Sequence, residues 1–301
     1  MPTTGDSNCG CPSVVDDQDP ERMHCMEVWG GNRGTDKSFE MPGLKTWVFS
    51  RPYLEAKSGG DVYYVSSCAS GRITRILLAD VMGHGNLAAE TARGLRDLMR
   101  QNINMIRQTS LVRALNLQFS DVARQGGFAT ALVGTFFAPR RSLALCNAGH
   151  PLPMVYRAAE SQWTPLQRRR RPDAAKLVDI PLGILEEVDY LITETQLEQG
   201  DLVLGFSDAL TESRDGDGEL LGTQGILELV QQLDASHPDQ LIPELLAAVA
   251  GQNPENLNHD DLTVILLQAT NTRPTVKDSL LAPFRLLGKV DDQTQWVDRN
   301  P

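Results

Sequence analysis

Four aspartates in this 301-residue chain stand at places where carboxylates could act together. Gly59-Gly60-Asp61 opens an apolar run that reads as a strand, and Leu77-Leu78-Ala79-Asp80 closes another. Phe206-Ser207-Asp208 ends a third run in the same manner, and His259-Asp260-Asp261 opens the last. One aspartate at a strand end is ordinarily a cap or turn former. Four converging carboxylates would repel one another strongly unless a cation sat among them. Oxygen-only ligands favour a hard divalent ion, Mg²⁺ or Mn²⁺. Two such ions sharing a water make a nucleophile for in-line attack on phosphorus. The competing reading is a solvated acidic rim with no metal.

The elements that would position these acids follow from the pattern. Val62–Ser67 and Arg72–Ala79 read as a hairpin around Cys68-Ala69-Ser70-Gly71, which brings Asp61 and Asp80 to one sheet edge. Apolar residues spaced by threes and fours predict a helix over Asn86–Ile106 and a second over Ser110–Val122. A meander is expected at Thr130–Phe137, Ser142–Asn147 and Leu152–Arg157, with Gly149-His150-Pro151 at a turn. A strand pair at Leu191–Leu197 and Leu202–Ser207, helices at Thr223–Leu233 and Pro238–Ala250, and a buried strand at Asp261–Gln268 complete the series. Residues 24–50 read as a short arm and first strand, and 158–178 as a polar stretch. Strands, then helices, then strands again predict an α+β fold of antiparallel sheets with helices outside. The division expected is a flexible leader over 1–22, a catalytic domain over 23–270 and a tail with a short helix over 271–301.

Composition narrows the classes. Lys and Arg number 28 against 39 Asp and Glu, a net charge of −11, which argues against a nucleic-acid binder. No apolar run approaches the roughly 18 residues of a membrane span, and the first residues lack the form of a signal peptide. The five cysteines are irregularly spaced, which favours a reducing, cytoplasmic location. Cys9, Cys11, His24 and Cys25 match no standard zinc spacing and read as loose thiols. Gly83-His84-Gly85 would let backbone approach an ion or phosphate, although neither GxxxxGK[ST] nor GxGxxG is present.

With these residues in place, the sequence resembles the metal-dependent protein phosphatases of the phosphatase 2C superfamily, in particular the bacterial branch typified by the stage II sporulation protein E phosphatase. The resemblance rests on five segments in order. They are Gly59-Gly60-Asp61-Val62-Tyr63, Ala79-Asp80-Val81-Met82-Gly83-His84-Gly85, Asn147-Ala148-Gly149-His150-Pro151, Gly200-Asp201 through Phe206-Ser207-Asp208-Ala209-Leu210-Thr211-Glu212, and Asp260-Asp261-Leu262-Thr263-Val264. It implies a four-layer α/β/β/α sandwich, two Mn²⁺ or Mg²⁺ ions, and hydrolysis of phosphoserine or phosphothreonine on a protein substrate. It also implies that Asp61, Asp80, the Val81 carbonyl, Asp208 and Asp260 hold the ions. Asp61 and Asp80 would then act through a metal-bridging water, with Asp261 a neighbour of the ligands.

Other residues carry smaller expectations. His84 is a loop residue or a proton donor, and Lys57 stands where eukaryotic relatives place a phosphate-binding arginine. Ala209 replaces the glycine usual after the third acid, and it and the missing arginine motivate the alternative of a catalytically weak regulatory binding module. His150 and Asp201 read as turn residues, Arg168–Arg171 as a solvated loop or a guide for an acidic partner, and Thr211 and Glu212 as supports for Asp208. In this branch the substrates implied are phosphorylated anti-sigma-factor antagonists in partner-switching pathways. Any regulation would come from a partner in trans, without nucleic acid or membrane.

Overall fold

The computed structural model describes residues 21–23, 27–68, 71–83, 85–123, 127–167, 177–273 and 291–292. His84, Arg168–Arg171, the cysteines at 9, 11 and 25 with His24, the leader over 1–20 and the helix expected near 277–287 lie outside them. Among the described residues no helix is long and apolar enough to cross a membrane.

The chain opens with β1 (Glu21–Arg22), β2 (Glu27–Gly31), β3 (Thr35–Met41) and β4 (Leu44–Arg51). The expected hairpin follows as β5 (Asp61–Cys68) and β6 (Ile73–Val81), then helices α1 (Asn86–Gln101) and α2 (Gln108–Val122). Next come β7 (Ala129–Phe137), β8 (Ser142–Ala148), β9 (Met154–Arg157), β10 (Gln162–Pro165), β11 (Thr193–Gln196) and β12 (Leu202–Phe206). A helical turn α3 (Asp208–Thr211), helices α4 (Gly222–Val230) and α5 (Pro238–Gln252), and strands β13 (Leu262–Ala269) and β14 (Asp291–Asp292) end the series. One sheet has the order β1-β3-β4-β13-β12-β9-β10 and the other β11-β8-β7-β6-β5-β2-β14. All neighbours are antiparallel except the two-residue outer pairs β1–β3 and β14–β2.

The layering follows from alternation along each strand. In β6, Ile76 and Leu78 point between the sheets, whereas Leu77, Ala79 and Val81 point at α1 and α2. In β13, Ile265 and Leu267 face inward, and Leu262, Val264 and Leu266 meet α4 and α5. Three apolar clusters thus separate four layers, helices/sheet/sheet/helices, as expected. Both faces of the central strands are covered, which is why Ile76-Leu77-Leu78-Ala79 is apolar without a break.

Several local expectations are corrected. The third strand of the supposed meander, β9, leaves its sheet and pairs with β12 and β10 in the other. The corner is set by Asn147, whose Oδ1 accepts from His150 N at 2.8 Å and whose Nδ2 donates to His150 O at 2.9 Å. Gly149 there has φ +70°, and a Cβ would lie 2.5 Å from Pro181. His150 is therefore buried in a sheet-to-sheet corner instead of a hairpin, with Nδ1 2.9 Å from Thr130 Oγ1. Burial pushes its pKa down to about 3, so the ring is neutral.

Likewise β11 and β12 do not pair: β11 extends one sheet beside β8, while β12 lies between β9 and β13. Asp201, buried at the turn between them, accepts from Arg157 Nη1 at 2.7 Å, Ala158 N at 2.9 Å and Glu198 N at 3.0 Å. Residues 24–50 hold three strands, and the polar stretch conceals β10 with its buried Trp163. The first long helix stops at Gln101, and Asn102 caps it: its Nδ2 joins its own backbone N–H on Leu98 O.

Leu78→Ala, in the layer between the sheets, is expected to cost about 2–5 kcal/mol in denaturant titration, while the exposed Leu117→Ala stays within about 0.5 kcal/mol. Equal effects would contradict the layering.

Candidate functional site: an acid cluster built from both sheets

Asp61 and Asp80 are direct cross-strand partners at the end of the β5–β6 pair. Asp61 is buried and Asp80 half-buried. From the other sheet, Asp208 begins α3 immediately after β12, and Asp260 lies just before β13. Asp208 is thus the first residue of a helical turn, where the sequence suggests a strand end.

The four acids feel one another. Asp61 is raised well above the usual carboxylate range by burial, then by Asp80 and Asp261, with smaller opposing hydrogen bonds from Ser207 and Thr263. Asp80 is pushed up to about 7 by burial and by Asp208, Asp260, Asp261 and Glu212. Burial, Glu212 and Asp260 raise Asp208 to about 6, although backbone N–H groups at the start of α3 oppose the rise. Every shift has the sign expected where negative charge is crowded without compensation.

Asp261 plays a different part from its neighbour. Its Oδ1 accepts from Tyr53 N at 2.6 Å, and its Oδ2 from Gly60 N at 2.5 Å and Asp61 N at 3.4 Å. A Cβ on Gly59 would fall 2.2 Å from this carboxylate, so residue 59 must be glycine. Asp261 therefore reaches across from one sheet to seat the backbone that presents Asp61 from the other. Asn32, for which the sequence offers no signal, supports the same loop: its Nδ2 donates to Gly59 O at 2.8 Å and Ala89 O at 2.9 Å. Ser207 and Thr263 also escape a reading by residue type, since isolated hydroxyls look alike in sequence. Here Ser207 Oγ accepts from Thr263 N at 3.0 Å, and Ser50 Oγ lies 2.9 Å from Thr263 Oγ1.

The remaining predicted residues fall as follows. The Val81 carbonyl points at Gly60, where a Cβ would approach it to 2.9 Å. Ala209 is helical and packs among apolar residues below α4 and α5, so its methyl group imposes no positive-φ strain beside Asp208. Thr211 Oγ1 and Glu212 N both donate to Asp208 O, at 3.1 and 2.7 Å, and the Glu212 carboxylate joins the cluster electrostatically. Lys57 is exposed on the loop leading into Gly59.

These residues suit divalent cations in donor chemistry. The candidate ligands are all oxygens, and Asp61 Oδ2 is buried with no hydrogen-bond partner. Beside it, glycine at 60 keeps open the space next to the Val81 and Gly83 carbonyls. The set is an open one: among the described residues no three acidic, histidine or cysteine side chains close on a common point.

A four-layer sandwich with acids gathered at one end of its two sheets is the architecture of the metal-dependent phosphatases of the 2C type. The chain belongs to the stage II sporulation protein E (SpoIIE) family, whose sequence profile matches residues 70–270. That match takes in Asp80, Asp208 and Asp260 and begins after Asp61. Over 194 residues the chain is 23% identical to the phosphoserine phosphatase RsbU of Bacillus subtilis, covering 64% of this chain and 55% of that protein. It therefore spans little more than half the length of this relative. Its fold is similar to the PP2C phosphatase domain of SpoIIE from Bacillus subtilis, solved with a fragment of the regulatory domain. There the TM-score is 0.63 at 18% identity, over 80% of this chain and 66% of that one. It is also similar to the catalytic domain of the serine/threonine protein phosphatase PstP in complex with two manganese ions. The TM-score is 0.52 at 19% identity, over 75% of this chain and 98% of that one.

The raised carboxylate pKa values predict a sign. Folded Asp80 and Asp208 hold protons up to about 7 and about 6, whereas in the unfolded chain they release them near 3.8. Between those limits the folded state binds more protons, so metal-free stability falls as pH rises from about 4 to about 7. Thermal melts of chelator-treated protein should give a higher Tm at pH 5 than at pH 8, and Asp80→Asn should flatten the slope. A Tm that climbs over this range would refute the crowding.

Proposed function

We propose that this protein is a serine/threonine phosphoprotein phosphatase that works with two Mn²⁺ or Mg²⁺ ions. Its substrate is a phosphorylated regulatory protein of the anti-sigma-factor-antagonist kind in bacterial partner switching, and its compartment is the cytoplasm. The observation that carries this reading is the coupling of Asp61, Asp80, Asp208 and Asp260 from two sheets, with one buried Asp61 oxygen left unpaired.

Asp61 and Asp80, with the Val81 carbonyl, are the residues to hold one ion; Asp208 and Asp260 complete the seat of the other, and Asp61 serves both. When bound, such ions lower the pKa of a water and neutralise the phosphate oxygens of the ester. The chain itself supplies position. Asp261 and Asn32 fix the backbone that presents Asp61, while the Ser207 and Thr263 hydroxyls oppose, in smaller part, the rise of its pKa. Lys57, exposed beside Gly59, is the cation available to a substrate phosphate. The alternative, a weak binding module, draws its motives from Ala209 and from the missing phosphate-binding arginine; the helical backbone at Ala209 weakens the first of them.

The full chain with Mn²⁺ is expected to hydrolyse p-nitrophenyl phosphate and a phosphoserine peptide. Asp80→Asn should cut kcat/KM by roughly 100-fold or more, beyond the 10–100-fold typical of residues that merely support a ligand. Chelation should abolish turnover, and Mn²⁺ should restore it and raise Tm in the wild type only. Equal activity in the wild type and Asp80→Asn would reject the mechanism.

A further inference from the structure

Four of the large apolar side chains exposed among the described residues border the acid cluster: Leu54 (78% exposed), Met82 (50%), Leu87 (72%) and Leu220 (56%). They come from four separate loops or element ends. Leu54 follows Tyr53, whose N–H is bound to Asp261. Met82 succeeds the Val81 carbonyl. Leu87 stands at the start of α1 beside Ala88, whose Cβ is 3.4 Å from where a Cβ on Gly60 would be. Leu220 stands with Ala209 and Leu257 on the wall of a cavity of about 360 Å³ that shares Asp260 with the cluster and is otherwise polar, with Glu212, Arg214 and His259 in its lining.

That cavity is built in advance. Asn256, buried, accepts from Arg214 N at 2.8 Å and donates to Arg214 O and Val249 O, both at 2.8 Å. The 213–221 loop is thereby tied to the segment before β13, and Leu220 keeps its place without being covered. Apolar surface grouped around a charged centre has a different use from single exposed leucines: covered by a partner, it excludes water and strengthens the electrostatics inside.

We propose that this apolar collar reads the substrate, so that the favoured phosphoprotein carries large apolar side chains next to its phosphoserine and one of them packs on the exposed Leu220. The proposal rests on the phosphatase reading and adds to it the chemistry of the flanking residues. A centre that recognised only phosphate would treat every phosphoester alike; the collar supplies the difference between partners.

The test uses two short peptides bearing a non-hydrolysable phosphonate analogue of phosphoserine, one flanked by leucines and one by glutamates. They are titrated against the full chain with Mn²⁺ by fluorescence anisotropy. The leucine peptide is expected to bind about tenfold more tightly, the size of effect that burying part of one apolar side chain produces. Leu220→Ser and Met82→Ser should each shrink the preference, whereas Leu117→Ser, on α2, should leave it intact. Equal binding of the two peptides, or a preference that survives in Leu220→Ser and Met82→Ser, would overturn the proposal. Hydrolysis of p-nitrophenyl phosphate by the same preparations separates the two claims. Turnover without peptide preference rejects the collar alone, and preference without turnover rejects the phosphatase reading while the docking stands.

Discussion

Mutual repulsion is the constraint around which this protein is arranged. A fold gains nothing by bringing Asp61, Asp80, Asp208 and Asp260 together, since the first three are pushed toward their protonated forms by burial and by neighbouring carboxylates, Asp260 among them. Such an arrangement persists because the surrounding apolar layers stabilise the fold by far more than the crowding costs. The acids are therefore a load that the sandwich carries, and the scaffold shows how. Each sits at an element end, its backbone in, or next to, a regular hydrogen-bonded element.

The load is divided between two kinds of residue. Some carboxylates are left with unmet capacity, above all Asp61 with its unpaired oxygen. Others are saturated: Asp261 spends both oxygens on backbone N–H groups, and Asp201 does the same at a remote turn. Two adjacent aspartates, 260 and 261, thus differ in reach: Asp261 binds Tyr53 and Gly60, whereas Asp260 Oδ1 accepts from its neighbour Asp261 N at 2.7 Å. Residue type says nothing of this difference; the neighbours that the folded chain brings to each side chain decide it.

The legible parts of the sequence were those governed by local chemistry. The β5–β6 hairpin placed Asp61 opposite Asp80 because strand period and turn length fix register. Of the apolar residues whose spacing predicts the first long helix, Leu95, Leu98 and Met99 pack inward, whereas Leu87 and Ile106 are exposed. Choices between sheets could not be read. Strand β9 looks like the third member of a meander, yet Asn147 and Gly149 send it across the molecule. The β11–β12 segment looks like a hairpin, yet its halves join different sheets. Antiparallel strands of both sheets share one composition, so partner choice depends on contacts distant in sequence. Asn32 and Asn256 were invisible for the same reason: each satisfies backbone groups that only the folded chain brings near.

Strand β13 is the last of the long strands, yet it lies in the interior of its sheet, between β4 and β12. It also brings Asp260 and Asp261 with it. During synthesis, residues 44–51 must wait for more than two hundred further residues to leave the ribosome before gaining this neighbour. Until then Asp61 lacks its seat and the acid group has only part of its members. The carboxylate group is consequently complete only once the final long strand has taken its place between two earlier ones.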